Sequence, residues 1–161
     1  DLLETMQSLV KTHDVLIHSM AVSDYTPIYM TGFDQITASQ DLTEFLNKTN
    51  HQGKISSKDE YQVLFLKQTP KIISQVKKWN PNIRLIGFKL LVDVSKEELL
   101  SVARASFIKN KAEIILANDL YDISNNQHHA YLVKENSVIE ASTKEEIAQQ
   151  LVTHIHTKDN L

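Results

Sequence analysis

Residues 83–117, IRLIGFKLLVDVSKEELLSVARASFIKNKAEIILA, read as strand, helix, strand. Ile83 to Val92 is the most strand-like run of the chain. Ser95-Lys96-Glu97-Glu98 has the spacing of a capping box, a hydroxyl followed three residues later by a glutamate, and opens a helix to about Lys109. Ala112 to Ala117 is again a short apolar run, read as a buried strand. Strand and helix alternating at these lengths imply a βαβ unit, and with it parallel pairing.

The flanks extend the same pattern. Leu2, Leu3, Met6, Leu9 and Val10 recur at helical spacing, so residues 2–12 read as a helix with Asp1 as its N-cap. Asp14 to Ala21 reads as a buried strand, and Tyr61 to Leu66 as one buried on at least one face. Thr69-Pro70 has the form of an N-cap followed by proline at the first helical position. That helix runs through Ile72, Ile73, Val76 and Trp79 and stops at Asn80-Pro81-Asn82. Ala130–Val133 and Val138–Ala141 bracket Lys134-Glu135-Asn136-Ser137, a hairpin signal. Thr143-Lys144-Glu145-Glu146 is a second capping box, opening a last helix that carries Ile147, Leu151, Val152 and Ile155. The expected fold is a three-layer, Rossmann-like α/β domain, its sheet mostly parallel with an antiparallel hairpin at one edge.

Residues 25–57 break the pattern. They hold Pro27, Gly32 and Gly53, with one amphipathic piece around Leu42, Phe45 and Leu46. They read as an irregular arm or flap inside a single domain spanning 1–161. Structureless stretches of this length are uncommon in compact domains, and those that occur are more often functional than idle.

Composition narrows the function. At 161 residues and 42% apolar, the chain can bury one core. A net charge of -3 argues against a nucleic-acid protein, which normally carries a basic face. There is no cysteine, hence no disulfide framework, thiolate metal site or cysteine nucleophile. No apolar run approaches the about 20 residues of a membrane span. The first residues lack the pattern of a signal peptide, and a cytoplasmic location is expected. Because residue 1 is Asp, the chain is expected to lack an upstream segment. The only glycines, Gly32, Gly53 and Gly87, form neither a dinucleotide fingerprint nor a Walker A loop.

The candidate chemistry gathers where strands end. Asp24 lies just past a buried strand, where open α/β sheets present ligand sites; an aspartate there also caps turns. Lys54 reads as a solvated lysine or, if the arm returns it toward Asp24, as a positive charge for a phosphate or carboxylate. Pro70, Lys71, Ile72 and Ile73 open a helix, whose N–H groups favour anions when a ligand is present. Phe88 is either core or a stacking surface for a nucleobase. Asn118 and Asp119 either bind a ligand or turn the chain. The seven histidines show no ligand spacing, so no protein-built metal site is expected. No glycine-flanked serine supports a serine nucleophile.

Five segments, in order, carry a resemblance. Met20-Ala21-Val22-Ser23-Asp24-Tyr25 is similar to the A-A-V-A-D-Y strand of phosphopantothenate–cysteine ligases, and Lys54-Ile55-Ser56-Ser57 to their lysine segment. Leu66 to Ile73 resembles their L-x-x-x-P-D/K-I-L helix start, Ile86 to Leu90 their V-G-F motif, and Ile115 to Asp119 their I-V-A-N-D strand. The whole chain resembles the carboxy-terminal two-thirds of a stand-alone, streptococcal-type bacterial ligase.

The resemblance implies a reaction. The carboxylate of 4'-phosphopantothenate attacks the α-phosphate of a nucleoside triphosphate and releases pyrophosphate; the amine of L-cysteine then displaces the nucleotide from the acyl-nucleotidylate. It implies CTP, with ATP as the alternative, magnesium carried by the nucleotide, and a homodimer. It assigns nucleotide contacts to Asp24, Lys54, Pro70, Lys71, Ile72, Ile73 and Phe88, with Lys54 catalytic and Lys109 and Asn118 as additional contacts. This chain departs from the fused enzymes by carrying Ser106 and Asn110 where they have two lysines, with Lys109 and Lys111 alongside. The family's upstream glycine-rich segment and its asparagine are not among these residues, so the chain alone is expected not to turn over. The rival readings are a non-catalytic nucleotide-binding domain and a dimerisation module; a dimerisation arm requires none of Asp24, Lys54 and Pro70-Lys71.

Overall fold

The computed structural model describes residues 2–50, 58–124 and 127–158. The chain divides into two compact bodies, Asp1–Met20 with Ile72–Leu161, and Ala21–Lys71.

The first body is built on a five-stranded sheet. Its strands are β1 (Val15–His18), β4 (Arg84–Leu91), β5 (Ile114–Asp119), β6 (Ala130–Val133) and β7 (Val138–Ala141), side by side in that order. Strand β4 pairs in parallel with β1 and β5, while β6 runs antiparallel between β5 and β7. This is the expected mostly parallel Rossmann-like sheet with a hairpin at its edge. Helices α1 (Leu2–Thr12), α3 (Ile73–Trp79) and α4 (Lys96–Asn110) cover one face, and α5 (Lys144–Lys158) the other. Asp1, the expected N-cap of α1, lies outside the described residues.

Strand alternation explains the two cores. Leu85, Ile115, Ala117 and Val133 face α1, α3 and α4 and bury Met6, Val10, Val76, Leu99 and Ala103. Ile86, Ile114, Leu116 and Leu132 face α5 and bury Ile147 and Leu151. Every residue of β5 is buried, as expected for a strand covered on both faces. Each fully buried isoleucine or leucine contributes roughly 1.5–3 kcal/mol. Val152 does not join the α5 stripe; it is half exposed.

Both predicted capping boxes place their hydroxyl. Ser95 Oγ accepts the N–H of Glu98 at 3.1 Å, and Thr143 Oγ1 that of Glu146 at 3.1 Å. The Glu146 carboxylate reaches back to the N–H of Ser142 at 2.7 Å, one residue before the cap. Helix α3 departs from expectation: it begins at Ile73, with Ile72 at the N-cap and no capping side chain. Thr69 is occupied elsewhere. Its N–H donates to the Asp24 carbonyl at 2.9 Å and its hydroxyl to the Ser23 carbonyl.

The second body pairs β2 (Tyr25–Gly32) with β3 (Gln62–Gln68) in an antiparallel ribbon. Tyr25–Gly32, expected as irregular backbone, is thus a strand; a register shift between Pro27 and Tyr29 accommodates the proline. Helix α2 (Phe33–Ala38) and a 3-10 helix (Leu42–Asn47) follow it. Phe45 is buried and stacks on Phe65 at 5.4 Å and on Tyr29 at 6.0 Å between ring centroids, a small core for the ribbon.

Candidate functional site

Within the second body, Asp24 and the pair Pro70-Lys71 meet at one end of the ribbon. Thr69 N–H donates to the Asp24 carbonyl, which draws the residues after β3 alongside those before β2. Lys71 Nζ then stands 3.6 Å from Asp24 Oδ1. Both side chains are more than half exposed, so the pair sits in water and is open to a ligand. A cation and a carboxylate so placed offer one partner for a phosphate and one for a hydrogen-bond donor. Lys54, with the rest of its motif, lies outside the described residues.

The remaining expected residues belong to the first body. Ile72 is buried, and Ile73 packs beside Gly87 on the α3 face. A Cβ placed on Gly87 would lie 2.8 Å from Cδ1 of both Ile73 and Ile115. The glycine therefore lets α3 approach β4 closely. Phe88 is half-buried on the opposite face, against the α5 core. Ile73 and Phe88 thus flank the sheet from two sides. Lys109 is exposed in the last turn of α4.

The carboxyl end of β5 is tied into the fold. Asn118 is buried, and its Nδ2 stands 3.1 Å from Nε2 of His128. Burial, followed by the charge of Lys144, holds the His128 pKa below its ordinary value. Asp119 accepts backbone N–H groups from Val94 at 2.8 Å, Tyr121 at 2.8 Å and Asp93 at 3.1 Å. These bonds, Val94 first and Tyr121 next, hold its carboxyl below the usual carboxylate range. Asp119 therefore turns and fastens the chain, one of the two readings open from sequence.

The positions of the two replaced lysines hold a neutral network. Ser74 Oγ donates to Asn110 Oδ1 at 3.1 Å, and Asn110 Nδ2 donates to the Ser106 carbonyl at 2.9 Å. Asn110 is buried and joins α3 to α4. Lys111 ends α4 at a φ of 50°, with its side chain exposed. Among the described residues, no three His, Asp or Glu side chains lie close enough to share a metal ion, and no helix is long and apolar enough to cross a membrane.

One residue went unread in the sequence. His18 closes β1, is 8% exposed, and its Nδ1 is buried without a hydrogen-bond partner among the described residues. Burial holds its pKa below the ordinary value. Its one signal was position: a titratable residue directly after the apolar run Val15-Leu16-Ile17, at the strand end that leads through small residues to Asp24.

A mostly parallel α/β sheet with polar side chains at its strand ends defines a class of ligand-binding and catalytic domains. Within that class, residues 30–158 match the family model described as the DNA/pantothenate metabolism flavoprotein C-terminal domain, and the chain belongs to that family. It is 31% identical, over 121 residues, to the Coenzyme A biosynthesis bifunctional protein CoaBC of Thermococcus kodakarensis, an alignment covering 74% of this chain and 30% of that relative. The chain thus spans less than a third of that relative's length. It is similar to the crystal structure of the DNA/pantothenate metabolism flavoprotein from Streptococcus pneumoniae, with 60% identity and a TM-score of 0.92, over 98% of this chain and 69% of that one. A Cab2 variant in complex with phosphopantothenate-cysteine shares the fold, with a TM-score of 0.64 and 15% identity over 98% of this chain and 52% of that one.

Proposed function

We propose that the chain is the ligase domain that joins 4'-phosphopantothenate to L-cysteine through an acyl-nucleotidylate, a cytoplasmic step of coenzyme A biosynthesis. The observation that carries this reading is the meeting of Asp24 and Lys71, far apart in sequence, at 3.6 Å on one exposed edge. The two belong to separate motifs of the ligase resemblance, and both are residues assigned to the nucleotide. Membership of the family and the phosphopantothenate-cysteine complex of the Cab2 relative support the same substrate class.

The chemistry asks for charge neutralisation. A carboxylate acylates an amine only after one of its oxygens becomes a good leaving group. Attack on the α-phosphate makes the mixed anhydride and expels pyrophosphate; the cysteine amine then forms the amide, releases the nucleotide monophosphate and gives up a proton. Lys54 and Lys71 are the cations proposed to face the phosphates, with Asp24 accepting a donor of the nucleotide. Magnesium is proposed to enter on the triphosphate, where it would neutralise phosphate charge. CTP is the proposed cosubstrate and ATP the alternative.

The test is pyrophosphate release with CTP or ATP, 4'-phosphopantothenate and L-cysteine. The longer protein, matched in length to the streptococcal relative, is proposed to be active and these 161 residues alone inactive. Nucleotide binding without pyrophosphate release by the longer protein would favour the non-catalytic reading.

A further inference from the structure

His18 ends β1, level in register with Gly87 of β4. The two strands run parallel and β4 continues to Leu91, so the residue stands at the carboxyl end of β1, beside the middle of β4; open α/β sheets hold their ligands outside the carboxyl ends of their strands. Its ring makes no hydrogen bond with any described residue. Nδ1 is enclosed, and Nε2 is the nitrogen left with access to the outside.

The enclosure selects a tautomer. A neutral imidazole has one N–H and one bare nitrogen. A buried N–H with no acceptor is rarer and costlier than a buried lone pair with no donor. The proton therefore belongs on Nε2. Protonating Nδ1 as well would bury both a charge and an orphan donor, so the ring stays neutral, in line with the direction of its pKa shift.

We propose that His18 is a neutral hydrogen-bond donor, presenting Nε2–H to an anionic oxygen of a ligand at the carboxyl end of β1. The ligand class is a phosphoryl or carboxylate compound, and under the ligase reading, on which this inference rests, it is the nucleoside triphosphate or 4'-phosphopantothenate. A neutral donor stabilises charge on such an oxygen without competing for its protons.

Nitrogen-15 NMR of the longer protein at neutral pH reads the tautomer directly. The expected spectrum has His18 neutral and protonated at Nε2, with that resonance moving on addition of either magnesium-CTP or 4'-phosphopantothenate; the probe that moves it identifies the partner. His18→Phe keeps a planar ring and loses no hydrogen bond to the described residues, so its melting temperature is expected to equal or exceed that of the parent. Its Kd for the active probe is expected to rise about tenfold or more. His18→Gln, which restores an N–H near the Nε2 position, is expected to recover part of that loss. An Nδ1–H tautomer, an imidazolium, no response to either probe, or His18→Phe binding unchanged would each overturn the proposal. Pyrophosphate release by the parent is scored separately: its absence with Nε2 still responding to CTP would remove the ligase reading and leave the donor assignment standing.

Discussion

The carboxylate of Asp119 accepts the backbone N–H of Val94 at 2.8 Å, fastening the end of β5 to the loop that leaves β4. The same group takes the N–H of Asp93, which is held at a φ of 55° in the left-handed region. A carboxylate satisfying three backbone donors stabilises a turn that an aspartate would otherwise adopt at a cost. The pair that closes the βαβ unit is thus a loop clamp at the strand ends.

The clamp predicts an acid-sensitive fold. The Asp119 carboxyl is held below its unfolded value, near about 4, so its stabilisation is present above that value and is lost as pH falls through the lower, folded one. Asp119→Asn is expected to lower the melting temperature at neutral pH, with the difference from the parent shrinking as the medium is acidified below about pH 4. Thermal melts of both proteins from neutral to acid pH check this. A gap of constant size across the series would remove the charge-assisted clamp from the account.

Gly87 predicts a steric limit. The two isoleucine methyl groups facing it leave no room for a branched side chain. Gly87→Val is expected to destabilise by about 1–3 kcal/mol, as overpacking does, and Gly87→Ala by less because both methyl groups end flexible side chains. Urea titration measures both. Equal stability of Gly87→Val and the parent would mean that α3 does not need its close approach to β4.

Much of the first body was legible because its signals are local. The strand–helix–strand run of residues 83–117 and the Ser95 and Thr143 caps each depend on neighbours a few residues away. The second body was less so. Strand β2 contains Pro27, and its apolar partner Phe45 is brought to Phe65 only by the tertiary fold. Thr69-Pro70 has the local form of a helix start, but the Ser23 and Asp24 carbonyls take the threonine's donors, and the helix starts at Ile73. Of the site, Asp24 and Lys71 were readable as motif residues. His18 was not, because nothing in composition distinguishes an enclosed nitrogen from a solvated one.

The ribbon predicts a subunit contact. Tyr29 and Phe65 face Phe45, while Leu64 and Leu66 occupy the other side of β3 and are exposed. We propose that this face meets a second copy of the chain, making the protein a homodimer, since cyclic dimers are the commonest oligomers. Light scattering on the longer protein is expected to report twice the chain mass, and Leu64→Lys with Leu66→Glu to report a single chain with unchanged helix and strand content. A monomer at high micromolar concentration before any substitution counts against the contact.

Lys54 and Lys71 separate catalysis from folding. The Asp24–Lys71 pair is more than half exposed on both sides, so Lys71→Met is expected to change stability by no more than about 1 kcal/mol. Lys54→Gln, a change in a polar segment, is expected to change it by about 0.5 kcal/mol or less. The effect on the proposed reaction differs in scale. A positive charge facing a developing phosphate anion is worth on the order of 3 kcal/mol, about a hundredfold in rate. Lys54→Gln is therefore expected to slow pyrophosphate release about a hundredfold, and Lys71→Met to raise KM for the nucleotide more than it lowers kcat, because Lys71 already has Asp24 as a partner before the nucleotide arrives. Initial rates of pyrophosphate release against nucleotide concentration distinguish the two. Unchanged release in Lys54→Gln would sink the catalytic assignment of Lys54, and a fall in melting temperature matching the fall in rate would return Lys71 to a structural role.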